Sequence, residues 1–143
     1  MDYTSLLRSV SHFPHSNINC GSLHIHLSPD DVFDCSISPG CYLDLTGSIT
    51  FGRFCMFGSS TYILTHDHYH SGRVPLLILQ SEKGVFWKDK IIGNDVWLHS
   101  CTILCQVTFI PDGVVVRAGA VLTKNPGPYE IWAGNPARKI GER

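Results

Sequence analysis

The large apolar positions of the chain recur every six residues. One series runs Phe33, Pro39, Leu45, Phe51, Phe57 and Ile63, and a second runs Ile92, Leu98, Leu104, Ile110, Val116 and Leu122. Only Pro39 is not a large aliphatic or aromatic residue. Four places after each anchor stands a smaller or β-branched residue: Ile37, Leu43, Ile49, Cys55 and Thr61, then Val96, Thr102, Thr108, Val114 and Ala120. Neither the helical period near 3.6 nor simple alternation produces a strict six. A short strand followed by a tight turn does. Three such units make one turn of a triangular coil, with the anchors inside and each strand stacked in parallel on the next coil. A sandwich of short strands is the competing reading, but a sandwich does not hold one six-residue phase through five steps. Gly40, Gly52, Gly58 and Gly93 follow anchors, where the backbone must bend or accept positive φ.

From Ile63 to Ile92 is 29 residues, which is no multiple of six, so residues 64–91 must leave the coil as a loop. A long loop on a regular scaffold is usually functional. This one contains the densest histidine cluster of the chain, Thr65-His66-Asp67-His68-Tyr69-His70. Residues 1–26 are irregular, with a short helical turn conceivable over Ser5–Val10 and the status of His24-Ile25-His26 as a strand left open. Residues 125–143, rich in Pro and Gly, cap the coil. The whole, 1–143, reads as a single all-β domain with little helix.

Composition narrows the function classes. With 43% apolar and 16% charged residues the chain reads as globular, not disordered. A formal net charge of −1 without a basic run excludes a nucleic-acid footprint. The longest apolar runs, such as Val74–Leu79, are far too short to span a membrane. Met1-Asp2 opens no secretory signal, and the six cysteines form no CxxC pair, so reduced thiols and a cytoplasmic location are expected. A small solenoid leaves an edge and apolar faces uncovered, which points to a homo-oligomer.

Three stretches resemble the hexapeptide-repeat acetyltransferases, in particular the maltose/galactoside acetyltransferase and polysaccharide O-acetyltransferase branch. They are Ile63-Leu64-Thr65-His66-Asp67-His68, Ile92-Gly93-Asn94-Asp95-Val96-Trp97-Leu98, and Ala118-Gly119-Ala120-Val121-Leu122-Thr123-Lys124, the last running on to Ile131-Trp132-Ala133-Gly134-Asn135-Pro136-Ala137-Arg138. The resemblance covers roughly residues 45 to 140. It implies a left-handed parallel β-helix, a homotrimer, and acetyl-CoA held between subunits as co-substrate, with no metal. It implies transfer of the acetyl group to a hydroxyl of a saccharide.

Carried over by motif, His68 matches the general base, an imidazole able to take the hydroxyl proton during direct attack on the thioester. His66 is the alternative base, or a group that orients His68 or the acceptor. Asp67 fixes a histidine tautomer, caps a turn or meets the acceptor, and Trp97 matches a tryptophan beside the acceptor. The backbone around His99–Ser100 would hold the oxyanion. Ala118 and Gly119 would leave room for the pantetheine arm, and Lys124 and Arg138 would reach the coenzyme phosphates. Departures fall at His99 and Arg117, where relatives carry glycine, at Gly141, where some carry a basic residue, and in the N-terminal helical segment, which is missing or much reduced. Three rivals stand beside this reading: N-acetylation of an amino sugar, a zinc enzyme of the γ-carbonic anhydrase kind using His66, His68, His70 and His99, and a non-catalytic scaffold.

Overall fold

A computed structural model describes residues 23–25, 35–38 and 40–143. The chain winds as a triangular parallel β-helix. Its first coil holds β1 (Leu23–Ile25), β2 (Cys35–Ile37) and β3 (Tyr42–Leu43), and its second holds β4 (Ile49–Phe51), β5 (Cys55–Phe57) and β6 (Tyr62–Ile63). The chain then leaves the coil through β7 (His66–His68), α1 (Leu76–Lys83) and β8 (Val85–Trp87). Winding resumes with β9 (Lys90–Ile92), β10 (Trp97–Leu98) and β11 (Ile103–Leu104), followed by β12 (Phe109–Ile110), β13 (Val115–Val116) and β14 (Val121–Leu122). A terminal hairpin of β15 (Glu130–Gly134) and β16 (Ala137–Glu142) closes the end. The first face is β1-β4-β9-β12, the second β2-β5-β10-β13-β15 with β16 beyond, and the third β3-β6-β11-β14.

Anchors fill the interior. Phe51, Phe57, Ile63, Ile92, Leu98, Leu104, Ile110, Val116 and Leu122 are all buried in one cluster, so each short strand contributes to a shared core that no single coil could form. The smaller inward column includes thiols. Cys41 Sγ donates to Gly58 O and Cys55 Sγ to Gly93 O, both at 3.2 Å, which gives these buried groups an acceptor in the turn. Cys41, Cys55, Cys101 and Cys105 are free thiols; Cys20 lies outside the described residues.

The first coil departs from the six-residue series. Ile37 stands in register with Phe57 and Leu43 with Ile63, twenty residues apart, whereas Leu98 and Val116 are eighteen apart. Two extra residues therefore sit between β3 and β4. Ile37 and Leu43 hold the anchor places there, and Leu45 is buried at a corner and not on a strand. Phe33, Pro39 and the possible turn at Ser5–Val10 lie outside the described residues. β1 falls within the segment expected to be irregular and pairs with β4.

Two further expectations need correction. Thr108 is exposed, and Val107 takes the inward place. The Asn125 carboxamide oxygen accepts from the Thr108 and Phe109 N–H groups and draws that corner outward. Gly58 does not supply positive φ. A Cβ there would stand 2.4 Å from Ser100 N, so the residue is small because neighbouring coils touch at the corner. The left-handed corner positions are instead taken by residues such as Phe54, Ser60, Asp95 and Cys101.

The excursion between β6 and β9 has structure of its own. β7 and β8 pair antiparallel, His66 opposite Trp87 and His68 opposite Val85. Pro75 precedes the first turn of α1, where its missing N–H costs nothing, and Gly84 at φ 69° ends it. Among the described residues no helix is long and apolar enough to cross a membrane.

Candidate active site

The two extra residues of the first coil build the floor of the site. In Asp44-Leu45-Thr46-Gly47, the Thr46 N–H and hydroxyl both donate to Asp44 Oδ1, at 3.1 and 2.7 Å, a side-chain-closed turn of the kind Asp favours. From the next coil the Thr65 N–H donates to Asp44 Oδ2 at 2.9 Å, and the Thr65 hydroxyl donates to Asp44 O at 2.8 Å. Finally His66 Nδ1 lies 2.6 Å from Asp44 Oδ2. The Asp44 side chain is 1% exposed. Burial alone would push its carboxyl up, but the donors from Thr46, Thr65 and His66 outweigh burial and bring it down to about 2. The carboxylate is therefore ionised at neutral pH and can only accept. His66 must then carry its proton on Nδ1, leaving Nε2 as the free nitrogen.

His68 stands beside this pair, its ring edge-on to that of His66 with centroids 5.5 Å apart. Its Nδ1 is buried and has no partner. Asp67 between them is fully engaged: Oδ1 accepts the His68 N–H at 2.8 Å and Oδ2 accepts from Gln106 Nε2 at 2.5 Å. It thus pins the β7–β8 hairpin to the coil. Lys90 lies inward at the foot of the hairpin, in the place Ile49 holds one coil earlier. Its ammonium donates to Lys88 O, and burial, then the Lys88 charge, lower its pKa to about 8.

The remaining expected residues divide between places. Ser100 and Gly119 meet at the corner between the second and third faces, where the Gly119 N–H donates to Ser100 O at 3.1 Å. Gly119 has φ 72° and open space where a side chain would be. Ala118 beside it is exposed. Lys124 follows β14 at the corner between the third and first faces, the same corner that carries Asp44, His66 and Gln106. Arg138 lies on β16, its Nη1 donating to Ala137 O. Trp97 points out from the second face, 40% exposed and stacked on His99. His66 and His68 are thus together, and Ser100, Ala118 and Gly119 are together one corner away. The four histidines of the zinc alternative do not converge: among the described residues no three His, Cys, Asp or Glu side chains are grouped to hold a metal ion.

Asp44, Thr46 and Gln106 were not singled out from the sequence. The available signal was the Asp-x-Thr-Gly pattern at residues 44–47, a sequence in which Asp closes a turn on the backbone two residues on.

This triangular coil is the left-handed β-helix of the hexapeptide-repeat acetyltransferases. A hexapeptide-repeat-containing acetyltransferase from Vibrio cholerae O1 biovar eltor, solved with acetyl coenzyme A, superposes with a TM-score of 0.66 at 19% identity, covering 98% of this chain and 75% of that one. A polysialic acid O-acetyltransferase superposes with a TM-score of 0.57 at 27% identity over 86% of this chain and 54% of that one. In sequence the chain is similar to a chloramphenicol acetyltransferase from Morganella morganii, 31% identical over 113 residues, which are 70% of this chain and 54% of that protein. The chain spans about half the length of the curated relatives it matches. No family model matches it.

Proposed function

We propose that this chain transfers an acetyl group from acetyl-CoA to a hydroxyl of a saccharide, with His68 as general base. The observation that carries the reading is the buried Asp44 carboxylate, which commits His66 Nδ1 and fixes that ring edge-on to His68, whose own Nδ1 has no partner. His66 and Asp44 then act as positioning residues for the pair. The thioester is already activated, so the acceptor oxygen attacks it directly as its proton passes to His68. The oxyanion is met by backbone N–H groups near Ser100, and the thiolate leaves with coenzyme A. The open backbone at Ala118 and Gly119 suits the pantetheine arm, and Lys124 and Arg138 suit the phosphates. Trp97 contributes an apolar plate for the acceptor. Because His68 and Gly119 occupy different corners of one prism, the site is completed between copies, in keeping with a homotrimer. An oxygen acceptor is favoured over an amine by the likeness to the polysialic acid O-acetyltransferase. The free thiols suit a reducing, cytoplasmic setting.

Release of free thiol from acetyl-CoA, measured with a panel of saccharides, tests the reading. His68→Ala is expected to lower turnover by about 10²- to 10⁴-fold while the chain stays folded. Unchanged turnover would remove His68 from the role, and no turnover with any acceptor would remove the activity.

A further inference from the structure

The outward side chains of the second face align coil by coil: Met56 beside Trp97, Trp97 beside Val115, and Val115 beside Ile131. They floor a groove of about 330 Å³. Its two rims differ. On one, Arg143 Nη1 donates to Asp95 Oδ2 at 2.8 Å, so that cation is already neutralised. On the other stands Arg117, exposed, with no ion-pair partner among the described residues. His99, aligned with Arg117 on the preceding coil, stacks on Trp97 with ring centroids 3.8 Å apart, and its Nε2 is buried without a partner. Burial, and then the Arg117 charge, hold His99 toward its neutral form.

An apolar floor, an aromatic plate and one unpaired guanidinium fit a ring-shaped polar ligand with a single negative group. The apolar face of a sugar packs on Trp97 and Val115. A guanidinium grips both oxygens of a carboxylate as a fork, which an ammonium cannot reproduce. The volume matches one sugar unit of a longer chain lying along the face.

We infer that this groove binds an anionic saccharide, a uronic acid or another carboxylated sugar, and that Arg117 reads its carboxylate. The inference rests on the proposed acetyl transfer only in taking that sugar as the acceptor. The coenzyme phosphates are the other anion within reason, since Arg117 precedes Ala118. The apolar floor beside Arg117 favours a sugar ring.

The test is calorimetric titration of the intact protein with trigalacturonate, with its carboxyl-reduced neutral form, and with coenzyme A. The uronide is expected to bind about ten- to a hundredfold more tightly than the neutral form, the range for a hydrogen-bonded charge, and to weaken with added salt. Arg117→Gln should abolish that preference and Arg117→Lys should keep part of it. Equal binding of the two sugars by the wild type overturns the inference. So does an Arg117→Gln protein that loses coenzyme affinity while its sugar preference stands. Uronide binding that depends on Arg117 without acetyl transfer to the uronide would uphold the groove and overturn the uronide as the acceptor.

Discussion

Asp44 and Lys90 are buried ionisable groups held in opposite ways, and neither follows the repeat. Asp44 is stabilised as a carboxylate by every donor around it, with a value of about 2. An unfolded Asp titrates near 3.9, so the folded chain binds fewer protons between the two values. The stabilisation is full above about pH 4 and is lost as pH falls toward 2, roughly 3 kcal/mol in all. Lys90, with a value of about 8, loses its proton more readily folded than unfolded. Stability should therefore rise as pH climbs from about 8 to about 10.4, by roughly 3 kcal/mol. Thermal unfolding across pH tests both as differences from wild type, because Cys41 and Cys105, pushed up by burial, oppose the Lys90 rise in the same window and Glu130 shares the acid one. Asp44→Asn should flatten the acid limb and Lys90→Met should lose its alkaline gain, and variants with wild-type pH slopes would contradict both assignments. The histidines were legible because three imidazoles crowd one loop. Asp44 was not, since its meaning comes from a coil it joins only in space, and Lys90 looked like a loop residue because a charged side chain masks an inward place.

At the scale of the element, the β7–β8 hairpin is precise only as far as it is tied down. Beyond the contact of His66 with Asp44 at its root, the tie is the side-chain bond from Gln106 on the third coil to Asp67. Gln106→Ala leaves the hairpin hinged at Thr65, where the Thr65 carbonyl still accepts the Lys88 N–H. Misplacing a proton acceptor by about an ångström is costly, so kcat should fall by about ten- to a hundredfold with little change in unfolding temperature. Unchanged kcat would show that the latch is not needed. The excursion itself was readable from the 29-residue gap, but its hairpin and helix were not, because no period governs a segment shaped by contacts to other coils. The same limit explains the first coil. A two-residue insertion leaves Leu45 apolar and buried, so the six-residue count ran through it unbroken while the strands had shifted.

Over the whole molecule, the repeat fixes the coil and the coil separates the site. Leu98, Leu104 and Ile110 share one interior, as the six-residue phase requires. That regularity also sets His68 and Lys124 on one corner and Ser100, Ala118 and Gly119 on the next, with the third face between them. Outward apolar side chains such as Ile91, Phe109 and Leu77 are exposed on the single chain, which favours association. If neighbouring copies bring the two corners together, chains crippled at different corners should repair one another. His68→Ala and Ala118→Trp chains, co-expressed with different tags and purified as mixed assemblies, should recover about a third of wild-type acetyl transfer, the share of sites that draw an intact corner from each neighbour in a mixed cyclic trimer. Mixed assemblies as inactive as either parent would contradict a site shared between copies.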